Sequence, residues 1–349
     1  MEKSNRKKLL NLLFLAVVFG LTVWAVFRGE NPRELLACLR TADPGLVVLS
    51  VACVLGFILG EAGIIRYLMG CLGVPVRRFR CCLYSFIGFF YSCITPSASG
   101  GQPMQVAAMR RDGIPVAVST VVLAIVTITY KLVLVVVGIV VLALRPARIM
   151  ALLDPVLPVV WLGLGLNVVC VALLLLLVFH PTLVERCARW ALGLLHRLRP
   201  FRHPERHLER LERMIGQYSG AAEFYRSHKH VVVHVFLMTV LQRTLLFLIT
   251  WLTYRAFSLS GEGPVFLTSL QAMISVAVDM LPLPGGMGIS ETLFLTIFEP
   301  VFGSELILPA MVVSRGVSYY SQLLISAVMT AAASFILGGK RKKKEAPTP

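Results

Sequence analysis

Residues 95–103 read Thr-Pro-Ser-Ala-Ser-Gly-Gly-Gln-Pro, and residues 281–288 read Leu-Pro-Leu-Pro-Gly-Gly-Met-Gly. Each stretch interrupts an apolar segment, the first running from Cys81 to Met109 and the second from Val265 to Phe298. Proline and glycine end helices, and bare backbone survives at membrane depth only inside protein or beside a water-filled cavity. The two stretches therefore predict the turns of two re-entrant helical hairpins.

The remaining apolar sequence falls into blocks long enough to cross a bilayer, which takes about 20 residues. We predict an all-α integral membrane protein with six full transmembrane helices, at Leu9–Phe27, Gly45–Gly70, Pro115–Leu144, Val156–Phe179, His230–Phe257 and Leu306–Leu337. The first block follows several basic residues, as a signal peptide would. It has no small-residue cleavage site and more spans follow it, so we interpret it as a retained helix.

The charge distribution sets the predicted topology. The 349 residues are 57% hydrophobic and 15% charged, with a net charge of +16. Basic residues mark cytoplasmic loops of membrane proteins, and segments 71–80, 110–112 and 180–229 together with both termini account for the whole positive excess. We therefore predict a multi-pass cell-membrane protein with both termini in the cytosol, and no nucleic-acid partner.

The charges that flank the hairpins predict an inverted-topology repeat within one domain, 1–349. Arginines stand at both ends of the first hairpin, whereas Glu262, Glu299 and Glu305 flank the second. The first hairpin then enters from the cytosol and the second from outside, an arrangement typical of secondary transporters. The halves are 9–144 and 156–337, with a basic tail at 338–349. Lys131 follows Gly101 at nearly the same separation as Arg315 follows Gly286.

Segment 180–229 interrupts the second half. Its apolar residues recur at spacings of three and four, from Leu208 to Tyr225, with Arg206, Arg210 and Arg213 off that stripe. The pattern predicts an amphipathic cytoplasmic helix, which either packs on the bundle as a connector or lies on anionic lipid.

Charged residues inside apolar segments are costly and mark functional sites by default. Four cations and three acids qualify: Arg66, Lys131, Arg243, Arg315, Glu61, Asp279 and Glu291. We predict that Lys131, Arg243 and Arg315 bind an anion in a common cavity, while Glu61, Arg66, Asp279 and Glu291 balance charge or carry a coupled proton. Structural pairing is the alternative for several of them; Arg66 could extend to the cytosolic surface, and Glu291 could cap a helix.

The hairpin turns offer a second anion-binding element, because a helix N-terminus presents free N–H groups. The predicted substrate-binding residues at the turns are Thr95, Ser97, Ser99, Gly100, Gly101, Gln102, Pro284, Gly285, Gly286 and Gly288. In the alternative interpretation these small residues only let helices pack closely.

Catalytic and energising motifs are missing from the sequence. It contains no GxxxxGK[ST], HExxH or GxSxG pattern, each of which would signal ATP binding, a metalloprotease or an esterase. We therefore predict no enzyme activity, no metal site and no cofactor.

Two motifs resemble the lysylphosphatidylglycerol synthase transmembrane family. The first is Thr95 to Met104, followed by Arg111-Asp-Gly-Ile114 and Tyr130-Lys131; the second is Pro-Gly-Gly-x-Gly-x-x-Glu, ending at Glu291. The resemblance covers nearly the whole chain and implies a flippase-like domain that binds or moves a lipid with a polar headgroup. In the name-giving enzymes a soluble aminoacyl transferase domain follows. Since this chain ends shortly after its last helix, we expect a stand-alone member without the lipid-modifying activity.

The predicted function is translocation of a phosphate-headgroup lipid, either a phospholipid or a polyprenyl-phosphate-linked lipid, through a cationic cavity at the membrane midplane. The predicted partner is therefore an anionic or zwitterionic lipid; a homo-oligomer and a separate lipid-modifying enzyme are further candidate partners. Two other classes stay open, a secondary transporter of a soluble anion and a membrane enzyme acting on lipid phosphates.

Overall fold

The computed structural model describes residues 40–180, 204–283 and 285–344, with positions 37, 183, 185, 186 and 190, and for 204–211 and 334–344 it describes the backbone alone. Every regular element in these ranges is helical, as predicted. The predicted span Leu9–Phe27, the turn residue Pro284 and the end of the basic tail lie outside the described residues.

The first half consists of a long helix, a pair of shorter helices and a second long helix. These are α1 (Pro44–Cys71), α2 (Arg78–Ile94), α3 (Gly101–Arg111) and α4 (Val116–Leu144). The Asp43 carboxylate caps α1 by accepting from the Gly45 and Leu46 N–H groups, and Pro44 occupies the first turn, where a missing N–H costs nothing.

The second half, predicted to begin at residue 156, contains the same order of helices after its first span and the 180–229 insertion. A short helix, α5 (Ala147–Leu153), and a 3₁₀ turn (Asp154–Val156) lead into α6 (Leu157–Phe179), and then α7 (Pro204–Ser227) follows. The repeated unit is α8 (Lys229–Ala256), α9 (Pro264–Val278), α10 (Ile289–Phe302), α11 (Ile307–Arg315), a π-helical segment (Gly316–Ser321) and α12 (Gln322–Lys344).

Among the described residues, four helical segments are long and apolar enough to cross a membrane: Pro44–Cys71, Val116–Leu144, Ala147–Val178 and Lys229–Ala256. They correspond to four of the six predicted spans. The predicted span Leu306–Leu337 coincides with α11, the π segment and α12. Large apolar side chains on the outer faces, such as Val48, Leu241 and Val328, are exposed. These apolar helices indicate a multi-pass membrane protein. The total of six spans stays a prediction.

The equivalent helices α1 and α8 pack against each other in opposite directions. A Cβ atom on Gly56 would lie 3.1 Å from Leu245, and one on Gly60 would lie 3.0 Å from Gln242. Farther along α1, Tyr67 meets His234, so residue numbers rise on one helix as they fall on the other. An inverted-topology repeat requires this antiparallel arrangement of equivalent elements.

Helices α2 and α3 form a tight antiparallel hairpin. A Cβ atom on Gly88 would lie 2.2 Å from the Gln105 amide, and one on Gly101 would lie 2.1 Å from the Ser92 hydroxyl and 2.7 Å from the Gly88 carbonyl oxygen. Glycine is needed at both positions because any side chain would push the arms apart. The structure thus contains the first predicted hairpin as a helix pair, while its entry into a membrane remains a prediction.

The turn of this hairpin meets the turn of the second one. The Ser97 hydroxyl donates to the Leu281 carbonyl oxygen over 3.2 Å, and Tyr319 donates to the Cys93 carbonyl oxygen over 2.8 Å. Helices α9 and α10 contact each other on the far side of the second turn. The two turns therefore contact each other, while Pro96, Ser99 and Pro282 at their surface are exposed.

The inserted helix α7 docks on the bundle through its C-terminal half. Tyr218, Ala222 and Tyr225 are buried, and the Tyr225 hydroxyl donates to the Leu68 carbonyl oxygen over 2.8 Å. The sequence left open whether this helix packs on the bundle or lies on lipid. The C-terminal half of α7 packs on the bundle.

Candidate functional site

The centre of the site is Asp279, which caps the C-terminal end of α9 where the second hairpin turns. Its carboxylate accepts hydrogen bonds from the Lys131 ammonium over 2.6 Å and from the Tyr130 hydroxyl, both on α4. One guanidinium nitrogen of Arg243, on α8, lies 3.9 Å from the same carboxylate. The cluster therefore joins α4, the last helix of the first half, to α8 and the hairpin of the second half.

The Arg243 guanidinium contacts aromatic rings in addition to the Asp279 carboxylate. Its Cζ atom lies 3.4 Å from the centre of the Tyr130 ring and 5.6 Å from that of Phe57. A planar guanidinium stacks well on an aromatic face. The side chain is only 5% exposed, and its Nε and Nη2 atoms have no hydrogen-bond partner among the described residues.

Glu61, on α1, lies on the same side of the bundle and interacts electrostatically with Arg243. Its carboxylate accepts a hydrogen bond of 2.6 Å from the Gln105 amide of α3. Gln105 is buried and reaches Glu61 across the space left by Gly88. The tight packing of the first hairpin thus brings an amide to Glu61.

Arg315 belongs to a second ion pair at the other side of the same turn. Its Nε atom donates to Glu291 over 2.8 Å, and its Nη2 atom donates to the Gly285 carbonyl oxygen over 3.0 Å. Glu291 also accepts from the Gly288 N–H over 2.7 Å and so caps α10. The Glu291 carboxylate therefore both caps α10 and forms the ion pair with Arg315.

The π-helical segment that follows Arg315 brings Tyr319 against the turn. A Cβ atom on Gly285, whose φ is +59°, would lie 2.1 Å from the Tyr319 ring. π-helical turns are rare and frequently mark functional sites. Here the segment links both hairpins, since Tyr319 also donates to Cys93.

The polar residues of the first turn are occupied by bonds within the protein. Thr95 donates to the Tyr91 carbonyl oxygen and accepts from the Gly100 N–H. Ser99 donates to Pro96, and the Gln102 amide donates to Thr127. These side chains, predicted to bind a headgroup, shape the turn in this structure.

The structure brings Lys131 and Arg243 together around Asp279, and places Arg315 in its own pair with Glu291. Structural pairing, the alternative that the sequence left open, therefore accounts for the contacts of Lys131 and Arg315. Arg66 is exposed near the C-terminal end of α1, away from these contacts. Gly101, Gly285, Gly286 and Gly288 lie at the two turns, and Pro284 is not described.

Sequence reasoning missed three residues that complete the site: Tyr130, Gln105 and Tyr319. Tyr130 directly precedes Lys131 and could have been inferred from that neighbour, but no local signal identifies the other two. It also missed the clasp at the base of the first hairpin, where Asp112 accepts from Tyr84 over 2.6 Å and lies 3.3 Å from Arg80.

A family model described as the lysylphosphatidylglycerol synthase TM region matches residues 11–326. The match covers most of the chain, so the chain belongs to this family, as its two hairpin motifs predicted. Comparison with individual curated proteins gives no match. Membership points to a membrane function related to lipids.

Proposed function

We propose that this member of the lysylphosphatidylglycerol synthase TM region family moves a lipid with a phosphate-containing headgroup between the leaflets of the cell membrane. The lipid is a phospholipid or a polyprenyl-phosphate-linked lipid. Its headgroup passes the two joined hairpin turns while its acyl chains stay in the bilayer. The chain carries out no covalent chemistry in this proposal, and both its termini are cytosolic.

The observation that carries the proposal is the pairing of buried cations with carboxylates at a hairpin turn. Lys131 and Arg243 share Asp279, and Arg315 contacts Glu291. A charge at the centre of a membrane costs about 2.5–3.5 kcal/mol on insertion scales, so these cations need an anion at all times. A headgroup phosphate that binds the free guanidinium nitrogens of Arg243 adds an anion to this cluster and leaves Lys131 and Arg315 with their carboxylates.

The location of the pairs also favours transport. Asp279, Gly285, Gly288 and Glu291 all belong to one turn, and Ser97 links that turn to the other hairpin. A phosphate that binds Arg243 beside Asp279 therefore acts at the contact between the two halves. Relative movement of such halves exposes a central site to each membrane face in turn.

The test is headgroup translocation by the purified chain in proteoliposomes. Vesicles carry a phosphatidylglycerol labelled with a fluorophore on an acyl chain, and a membrane-impermeant reductant bleaches only the outer leaflet. We expect bleaching beyond the outer-leaflet fraction in vesicles that contain the protein, and none beyond it in protein-free vesicles.

The same vesicles discriminate between the proposal and a soluble-anion transporter. Uptake of labelled inorganic phosphate is measured in parallel with lipid bleaching. Bleaching without uptake supports lipid translocation. Uptake of the soluble anion with no gain in bleaching contradicts it and assigns the cations to a solute pathway.

A further inference from the structure

The guanidinium of Arg243 has unused hydrogen-bonding capacity inside the bundle. Nε and Nη2 lack hydrogen-bond partners among the described residues although the side chain is 5% exposed. Its contact with Asp279 is long, at 3.9 Å, because Lys131 and Tyr130 hold that carboxylate. A buried donor without a partner costs about 1–3 kcal/mol, more when it is charged. An entering phosphate oxygen would satisfy both nitrogens.

The three partly buried acids of the site, Glu61, Asp279 and Glu291, differ in how many charged or backbone donors each carboxylate accepts from. Asp279 accepts from an ammonium and a phenol. Glu291 accepts from a guanidinium and a backbone N–H. Glu61 accepts a hydrogen bond from the neutral Gln105 amide. No cationic side chain of the described residues forms an ion pair with Glu61 within 4 Å. Glu61 is therefore the acid that can gain a proton without breaking an ion pair.

We propose that the site takes up its phosphate together with one proton, and that Glu61 carries that proton. The inference rests on the proposed function and adds its coupling ion. When Glu61 is ionised, its charge offsets that of Arg243, while Asp279 offsets that of Lys131. When Glu61 is protonated, one positive charge is left over beside the free nitrogens of Arg243. The anion and the proton then enter as a neutral pair, which conserves the charge buried in the membrane.

The sign of the pH effect follows from this charge balance. Binding of the anion favours protonated Glu61, so by linkage a lower pH favours binding of the anion. In the pH range where Glu61 gains its proton, the affinity for the anion rises by up to about tenfold for each pH unit. Tenfold is the limit because one proton is taken up.

Several other titratable groups lie on the elements packed against α1. On α8, His234 lies 3.4 Å from the Tyr67 hydroxyl. On α4, Lys131 and Tyr130 bind Asp279, and ahead of the π segment Arg315 binds Glu291. Helix α2 contributes the thiols of Cys81, Cys82 and Cys93. Histidine is the side-chain type that most often changes charge near neutral pH, so His234 requires its own control.

The experiment measures binding of dioctanoyl phosphatidylglycerol to the detergent-solubilised full chain between about pH 5.5 and about pH 8.5, the range that contains an ordinary histidine titration. This lipid is a phosphodiester, whose charge is constant over the range. We expect wild-type affinity to rise as the pH falls. We expect Glu61→Gln, which mimics the protonated acid, to bind tightly with no pH dependence. The variants His234→Gln and Glu262→Gln, the latter at the distant Arg148 pair, should retain the wild-type pH dependence.

A second variant covers the case in which Glu61→Gln does not fold. Gln105→Leu removes the donor that stabilises the ionised carboxylate, so tight binding should persist to higher pH than in wild type. Dimethyl phosphate, a soluble diester, serves as the parallel probe and shows whether the site needs the lipid tail. If the affinity for the lipid rises as the pH falls and the affinity for the soluble diester does not, the ligand is the lipid. If both affinities rise equally, the site recognises the phosphate group without the lipid tail.

The proton inference is overturned if wild-type binding is flat with pH, or if Glu61→Gln keeps the wild-type slope while His234→Gln abolishes it. Translocation of the fluorescent lipid separates this failure from failure of the proposed function. If wild type moves the lipid but Glu61→Gln retains the pH slope, only the proton inference fails. If the wild-type protein moves no lipid at all, both the proposed function and the proton inference fail.

Discussion

Lys131 and Asp279 lie 148 residues apart in the sequence, yet the Lys131 ammonium is 2.6 Å from the Asp279 carboxylate. The lysine belongs to the last helix of the first half and the aspartate to the hairpin turn of the second half. Both side chains are about nine-tenths buried. A buried pair of this kind adds little net stability, but loss of one partner leaves a charge uncompensated.

The Asp279 carboxylate should matter more to stability than either of its cations. Asp279→Asn leaves Lys131 without a counter-charge and removes the carboxylate that lies 3.9 Å from Arg243, and we expect it to destabilise the fold by about 3–5 kcal/mol. Lys131→Met leaves Asp279 with Arg243 and Tyr130, so its cost should be clearly smaller. Unfolding of the purified variants in detergent, followed by tryptophan fluorescence, measures the difference.

A matched control for this prediction is the Arg148–Glu262 pair. The Arg148 side chain is 68% exposed and that of Glu262 is 13% exposed, so loss of the carboxylate leaves a cation that water solvates. Glu262→Gln should therefore cost no more than about 1 kcal/mol. Equal losses for Asp279→Asn and Glu262→Gln would contradict the assignment of Asp279 as the counter-charge of the buried Lys131.

Gly285 should not tolerate a methyl group. Its φ of +59° disfavours any L side chain, and the added Cβ would lie 2.1 Å from the Tyr319 ring. We expect Gly285→Ala to lower both thermal stability and lipid translocation, because the change pushes the π segment away from the hairpin turn. Gly165→Ala is the control, since nothing lies within 4 Å of its added Cβ. The prediction is wrong if the two alanine variants unfold at the same temperature.

The ends of the two hairpins should face opposite sides of the membrane. Helix α3 ends at Arg111 and α10 ends at Phe302, beside the exposed Gly303. On a background without native cysteines, Gly303→Cys and Glu262→Cys should react with an impermeant maleimide in intact cells. Arg111→Cys should react only after the cells are permeabilised. Labelling of position 111 in intact cells would rule out the inverted topology.

Hydropathy and helix-ending residues predicted the elements well. The predicted span Pro115–Leu144 agrees with α4, Val116–Leu144, because a proline starts the helix and an exposed arginine follows its end. The Gly-Gly turns were located for the same reason, since proline and glycine interrupt both apolar segments there. The family and the all-helical fold followed from these local signals.

The side-chain partners could not be predicted in the same way. Which acid neutralises Lys131 depends on packing between the two halves, and nothing within a few residues of Lys131 encodes Asp279. Gln105 reaches Glu61 only because Gly88 leaves space on the facing helix. The hydroxyls of the first turn were predicted to face a ligand, but they satisfy nearby backbone groups that the turn itself frees.

The most direct test of the central claim is lipid translocation by variants that lose one buried cation. Lys131→Met, Arg243→Met and Arg315→Met are compared with Arg148→Met, which removes the same charge from a side chain that is 68% exposed. In proteoliposomes with equal amounts of folded protein, the account predicts at least about a tenfold loss of rate for the first three, equivalent to about 1.4 kcal/mol or more in barrier height. Arg148→Met should keep the wild-type rate. Full translocation by all three buried-cation variants would contradict the account and leave these charges with a structural role alone.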